Sequence, residues 1–197
     1  GGQAAVKSLK KEQVKHVFGL IGSATMEMFD ALYHEKKIKF IDVRDERTGT
    51  HMADGYARAS NQPGVIIAGQ NGPGATNLVT GLAQAKAAFS PVVSLAGLYS
   101  TKDNMEDAFQ GLDQQSLFEP VTKKTITIKS SKNIPNAISD GFNIAMSPRR
   151  GPVCINLPRN LLAEKNNFKI NEKKKSFKNI NDTKSNPNLI KRAAKLI

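Results

Sequence analysis

The residues with the clearest chemical potential lie in Asp45-Glu46-Arg47-Thr48-Gly49-Thr50, the opening of a helical stretch that continues to Ser60. An apolar run over 38–43 precedes it, and its Ile, Phe and Val predict a short buried strand. Glu46 therefore stands where a strand's carboxyl end meets a helix's first turn, the corner of an α/β layer at which ligands are usually bound. A carboxylate there has two readings. It is a first-turn charge favoured by the helix dipole, or a proton-exchanging group whose pKa is raised by a partly dry pocket.

A second feature is Gly72-Pro73-Gly74-Ala75-Thr76-Asn77. Proline fixes φ, and the flanking glycines accept conformations or close approaches that a side chain forbids, so a tight turn is expected. Alone it is an ordinary surface turn. No Gly-Lys-Ser/Thr follows it, so it is not a phosphate loop of the Walker kind. The other reactive types read as structural. No two of His16, His34 and His51 stand at metal-ligand spacing with a carboxylate or thiol. Ser23 reads as a helix cap rather than a nucleophile, and Arg149-Arg150 as part of a solvated loop.

The elements that must position these residues alternate along the chain. Helices are expected over 4–15, 24–34, 46–60, from Thr76 or Asn77 to 89, and over 134–146. Strands are expected over 16–21, 38–43, 65–69, 92–96, 125–128 and 153–157, with a long polar loop containing helical turns over 101–118. This alternation implies an α/β fold, a mostly parallel central sheet with helices on both faces. Gly49, Ala53 and Ala57 share one helix face without bulk. That face suits close packing, within the domain or across a two-fold dimer.

The 197 residues suit one α/β domain over 1–162, a charged linker over 163–185 and the start of a following domain over 186–197. Asn186-Pro187-Asn188 would open that last segment as a helix, with Leu189, Ala193 and Leu196 along one side. The chain is accordingly expected to be the N-terminal part of a longer protein. The net charge of +12 suggests nucleic acid as a partner, but its distribution opposes this. Residues 163–197 hold ten Lys or Arg against three Asp or Glu, seven of the twelve net charges, and are poor in aromatics, with no aromatic-and-basic stacking pattern. A solvated linker is the reading, with no nucleic-acid and no membrane partner. The single cysteine, Cys154, lies in an apolar run, and the expected compartment is the cytoplasm.

Taken together, the Glu46 helix and the Gly72–Asn77 turn resemble the pyrimidine-binding domain of thiamine-diphosphate enzymes, in particular acetolactate synthase and sulfoacetaldehyde acetyltransferase. The likeness runs over about 2–162. It implies that Glu46 is the glutamate that hydrogen-bonds N1′ of the aminopyrimidine. That bond favours the imino tautomer, whose nitrogen takes the proton from C2 of the thiazolium. It also implies that Gln70, Pro73, Asn77 and the backbone near Ile21 and Gly22 line the pyrimidine pocket, and that Phe109-Gln110 reach the substrate side. The diphosphate and its Mg2+ would be held by a domain outside this chain, on a neighbouring subunit of a homodimer or homotetramer, with no metal ligand here.

The expected substrate is a 2-oxo acid or an aldehyde. Ile21-Gly22-Ser23-Ala24 and Gln70-Asn71-Gly72 look more like the acetyltransferase; Asp30-Ala31-Leu32-Tyr33 and Pro120-Val121-Thr122-Lys123 look more like the synthase. Relatives commonly have His-Glu-Gln where this chain has Asp45-Glu46-Arg47, and Glu where it has Gly111. The changed neighbours of Glu46 also admit a non-catalytic homologue used for assembly or regulation.

Overall fold

A computed structural model describes residues 1–170 and 186–197. Strands β1 (His16–Leu20), β2 (Lys39–Asp42), β3 (Gly64–Ala68), β4 (Val92–Leu98), β5 (Lys124–Thr127) and β6 (Val153–Pro158) form one sheet ordered β2-β1-β3-β4-β6-β5. Every pairing is parallel. Helices α1 (Gly2–Lys11), α2 (Met26–His34), α3 (Glu46–Ser60), α4 (Pro73–Ala87), α5 (Gln114–Phe118), α6 (Ile134–Met146) and α7 (Arg159–Ala163) accompany it. An eighth, α8 (Pro187–Ala194), carries no buried residue.

Strand pleating divides the core in two, because successive side chains point to opposite faces. Val17, Val65, Ile67, Val93, Leu95, Val153 and Ile155 pack with α1, α2 and α6 through Leu9, Met28, Ile138 and Phe142. Phe18, Ile66, Ala68, Val92, Ala96 and Cys154 pack with α3, α4 and α5 through Ala53, Leu78, Leu82 and Phe118. The central strands β3, β4 and β6 are buried at every residue. Their largely apolar sequences are what burial on both faces requires, and the buried Ser94 and Asn156 are hydrogen-bonded.

Several expectations are corrected. β2 is an edge strand, with exposed ends and half-buried middle residues, so the run over 38–43 is buried only at Ile38 and Val43. The helix expected over 4–15 ends at Lys11, and Gln13 has φ 62. α4 begins at Pro73 rather than at Thr76 or Asn77; Gly72 is its N-cap residue, and proline takes the first helical position, where a missing N–H costs nothing. Ser23 does not cap a helix but opens a short 3₁₀ turn, Ser23–Thr25.

The face Gly49, Ala53, Ala57 is turned inward, not toward another subunit. A Cβ on Gly49 would lie 2.6 Å from Cδ1 of Ile66, and Ala53 and Ala57 are buried. The small residues let α3 lie close on its own sheet. The expected linker falls largely on residues 171–185, outside the described residues.

Candidate functional site

Four strand ends converge at one edge of the sheet. β1 leads into Ile21-Gly22-Ser23, β2 into the start of α3, β3 into Gly69-Gln70-Asn71-Gly72, and β4 into the loop that reaches Phe109-Gln110. The chain leaves β1 in one direction to β2 and passes β1 in the other to β3. This reversal opens a crevice between β1 and β3, the usual ligand position in such a sheet. The β1 and β3 loops meet there as bare backbone: a Cβ on Gly22 would lie 2.4 Å from the carbonyl carbon of Gly69. Ala24 N–H donates to Gly69 O at 3.0 Å.

Glu46 is 4% exposed at the first turn of α3. Asp45 holds that turn in place. Its backbone is extended, and Oδ1 accepts from the Arg47 N–H at 2.8 Å, a normal N-cap. Arg47 folds back on the same carboxylate through Nε at 2.9 Å and Nη2 at 2.6 Å. The guanidinium and backbone bonds of Arg47 lower the Asp45 pKa to about 2. The two residues that differ from the usual pattern therefore satisfy each other and leave Glu46 between them unengaged.

Asn77 Nδ2 donates to Glu46 Oε2 at 2.9 Å, fixing one carboxylate oxygen. Oε1 has no hydrogen-bond partner among the described residues and faces Gly74, where a Cβ would lie 3.0 Å away. Asn77 reaches Glu46 because α4 starts early, which puts residue 77 inside the helix's second turn. Gly72, with φ 58 and ψ −105, makes the sharp entry that only glycine accepts readily. Its N–H donates to Oε1 of buried Gln114 at 3.3 Å. Gln114 Nε2 in turn donates to Gly97 O and Asn156 Oδ1, both at 3.1 Å.

Gln70 sits at the centre of a second set of contacts. Its Oε1 accepts from Ser23 N–H and Oγ, and its Nε2 donates to Gln110 Oε1 at 2.6 Å. Asn71 Nδ2 donates to the carbonyls of Phe109 and Gln110. Pro73 is exposed in the first turn of α4. Ile21 and Phe109 are 56% and 79% exposed, and no hydrogen bond or ring contact of the described residues engages either side chain.

The fold thus joins Glu46 to Asn77 and Gln70 to Gln110, and leaves Ile21, Pro73 and Phe109 at the rim. Sequence reasoning missed Ser23, Asn71, Gly74 and Gln114 as parts of this site; a cluster of amides beside a Gly-Pro-Gly turn was the available signal. Among the described residues, no three His, Cys, Asp or Glu side chains group as a metal would need. No helix there is long and apolar enough to cross a membrane.

The family model described as "Thiamine pyrophosphate enzyme, N-terminal TPP binding domain" matches residues 1–117. A probable acetolactate synthase large subunit of Methanocaldococcus jannaschii is 44% identical over 161 residues, covering 82% of this chain and 27% of that protein. The probable acetolactate synthase large subunit of Methanococcus aeolicus is 42% identical over 200 residues, covering 100% of this chain and 33% of its own length. The acetolactate synthase isozyme 3 large subunit of Escherichia coli is 40% identical over 162 residues, covering 82% of this chain and 28% of that protein. The chain spans about a third or less of the length of these relatives. A carboxylate with one oxygen held and one left open at a glycine-lined crevice fits the match, and the chain belongs to the family of thiamine pyrophosphate enzyme N-terminal TPP-binding domains.

Proposed function

We propose that this chain supplies the pyrimidine-binding half of a thiamine-diphosphate site in an acetolactate synthase-like enzyme, a transferase or lyase acting on 2-oxo acids. The observation that carries the reading is Glu46, buried, with Oε2 held by Asn77 and Oε1 open beside Gly74. These residues fit the cofactor's aminopyrimidine: a ring nitrogen requires an open carboxylate oxygen, and the missing Cβ at Gly74 leaves room beside it. Thiamine diphosphate held there would supply a nucleophilic carbon and a place for the electrons left when a 2-oxo acid loses carbon dioxide.

Glu46 exchanges a proton with the pyrimidine nitrogen through Oε1, while Asn77 keeps the carboxylate from turning. Gly22 and Gly69 bring backbone up to the ring because no side chain intervenes, with Ile21, Gln70 and Pro73 around it. Phe109 and Gln110 face the substrate. The diphosphate and Mg2+ are assigned to a domain of a neighbouring subunit in a cytoplasmic homo-oligomer. Relatives with the same domain and the name acetolactate synthase support this assignment of activity.

The test is Glu46→Gln in the complete enzyme. The amide fills nearly the same volume but cannot exchange a proton with N1′, so the rate should fall about 10²–10⁴-fold. The folded state should remain intact by circular dichroism. Activity within a few-fold of wild type removes Glu46 from the mechanism.

One observation favours a second reading. The two stretches that resemble sulfoacetaldehyde acetyltransferase, Ile21–Ala24 and Gln70–Gly72, meet through the Ser23–Gln70 hydrogen bonds. Product assay separates the two. The synthase yields carbon dioxide and an acetohydroxy acid from pyruvate, and the acetyltransferase yields sulfite and acetyl phosphate from sulfoacetaldehyde and phosphate.

A further inference from the structure

A side-chain amide has a donating and an accepting end of nearly equal shape, so its neighbours decide which end points where. At Gln70 they leave no choice. The Ser23 backbone N–H, which can only donate, approaches Gln70 Oε1 at 3.2 Å, and the Ser23 hydroxyl joins it at 2.9 Å. On the other side, Asn71 Nδ2 donates to the carbonyls of Phe109 at 2.9 Å and Gln110 at 3.0 Å, which can only accept. Asn71 Oδ1 is therefore the atom that faces Gln70 Nε2, at 3.4 Å. Two independent backbone anchors thus orient Gln70 the same way.

The consequence passes to Gln110. Gln70 Nε2 must donate, and it donates to Gln110 Oε1 at 2.6 Å. Oε1 of Gln110 is thereby turned toward Gln70, and its NH2 is left with no partner among the described residues. The backbone beneath it is held too. Gln110 has φ 57 and abuts Gly72, where a Cβ would lie 2.6 Å from the Gln110 carbonyl oxygen. The whole NH2 of the half-buried Gln110 is thus available beyond the chain, whereas its oxygen is held against Gln70. Donors bind charged oxygens more strongly than neutral ones.

We propose that Ser23 and Gln70 are positioning residues that fix Gln110 as a hydrogen-bond donor to an anionic oxygen of the substrate. The proposal rests on the reading of Phe109-Gln110 as the substrate side of the site. The anion is either the carboxylate of a 2-oxo acid or the sulfonate of a sulfoaldehyde, which present the same acceptor oxygens.

The experiment is calorimetric binding of two unreactive anions, oxamate (a carboxylate) and 2-hydroxyethanesulfonate, to the assembled, cofactor-loaded enzyme. Wild type is compared with Gln70→Met, Gln70→Glu and Ser23→Ala, with cofactor affinity and melting temperature measured alongside. Gln70→Met removes the relay without adding charge, and should weaken the bound anion about fivefold or more, the effect of loosening a hydrogen bond to a charged group. That loss should exceed any change in cofactor affinity. Gln70→Glu can only accept, so Gln110 must turn its NH2 inward and present a carbonyl; the loss should reach at least about tenfold. Ser23→Ala removes one of the two donors to Gln70 Oε1 and keeps the backbone N–H, so its loss should be in the same direction as that of Gln70→Met and smaller.

An unchanged anion affinity in Gln70→Met, or an equal fall in cofactor affinity, overturns the proposal. So does the failure of wild type to bind either anion. If wild type binds the sulfonate but not oxamate, and Gln70→Met weakens the sulfonate, the synthase reading falls and the relay stands. If wild type and Gln70→Met bind oxamate equally, the relay falls and the synthase reading stands.

Discussion

Glu46 and Asp45 are adjacent carboxylates with opposite fates. Glu46 points inward, keeps one oxygen open and is nearly sealed from water. Asp45 points outward and spends both oxygens on Arg47. The pairing explains how the corner tolerates an aspartate and an arginine beside its glutamate: each neutralises the other, and neither approaches the open oxygen. The Asp45 pKa of about 2 lies below its ordinary 3.8, so the native state favours the ionised form. Its contribution to stability is therefore fully present above about pH 4 and is lost as the pH falls through about 2. Asp45→Asn keeps a capping oxygen but loses the charge. Melting temperatures measured from pH 2 to 6 should place this variant below wild type at pH 5 and above, and the gap should close toward pH 2. A gap independent of pH would mean that the ion pair contributes nothing.

At the scale of elements, the site depends on how closely α3 and α4 approach. A Cβ on Gly81 of α4 would lie 2.5 Å from Cβ of Thr50, a buried residue whose hydroxyl is already bound to Glu46 O. This contact places Asn77 one turn earlier in α4 within reach of Glu46. Gly81→Ala should therefore force the helices apart and cost about 1–3 kcal/mol, the usual penalty of overpacking. Gly55 supplies the control, since nothing lies within 4 Å of its Cβ position on the outer side of α3. Gly55→Ala should stabilise by roughly 0.5–1 kcal/mol, because alanine loses less backbone entropy in a helix. Urea denaturation midpoints should thus move in opposite directions for the two substitutions. The same direction for both would show that the α3–α4 contact is not tight.

At the scale of the molecule, under the proposed function the described site addresses only the pyrimidine end of a cofactor that also carries a thiazolium and a diphosphate. Glu46, Asn77 and the Gly22–Gly69 crevice gather at one sheet edge, and no group of carboxylates stands near to receive a magnesium ion among the described residues. A small, mostly apolar ring buries too little surface to bind tightly by itself. Residues 1–197 alone should therefore bind thiamine diphosphate with Mg2+ more weakly than about micromolar, a free energy smaller than about 8 kcal/mol. Titration calorimetry measures this directly, and joining the chain to the downstream part of a synthase relative should raise the affinity. Micromolar or tighter binding by the isolated monomer would overturn the division of the site.

Local pattern was enough to determine much of this protein. The α3 boundaries, Glu46–Ser60, follow from the change to a helical pattern after the apolar run over 38–43 and from the break at Gln62-Pro63-Gly64; α6 begins and ends where its apolar period does. The α/β alternation implied a parallel sheet, and Glu46 at a strand-to-helix corner implied a ligand edge. These are readable because capping, helical period and turn chemistry act between near neighbours. Tertiary structure decided the rest. The run over 38–43 carries no mark of lying at the sheet's edge, since strand order is set by pairings between distant segments. Gly49, Ala53 and Ala57 specify closeness but not the surface approached, which proved to be Ile66 and Val43 of the same chain. Ser23 has the side chain of a cap, yet its hydroxyl goes to Gln70, 47 residues away. A hydroxyl or an amide bonds whichever partner the fold brings within 3 Å or so, and only the assembled sheet determines which partner that is.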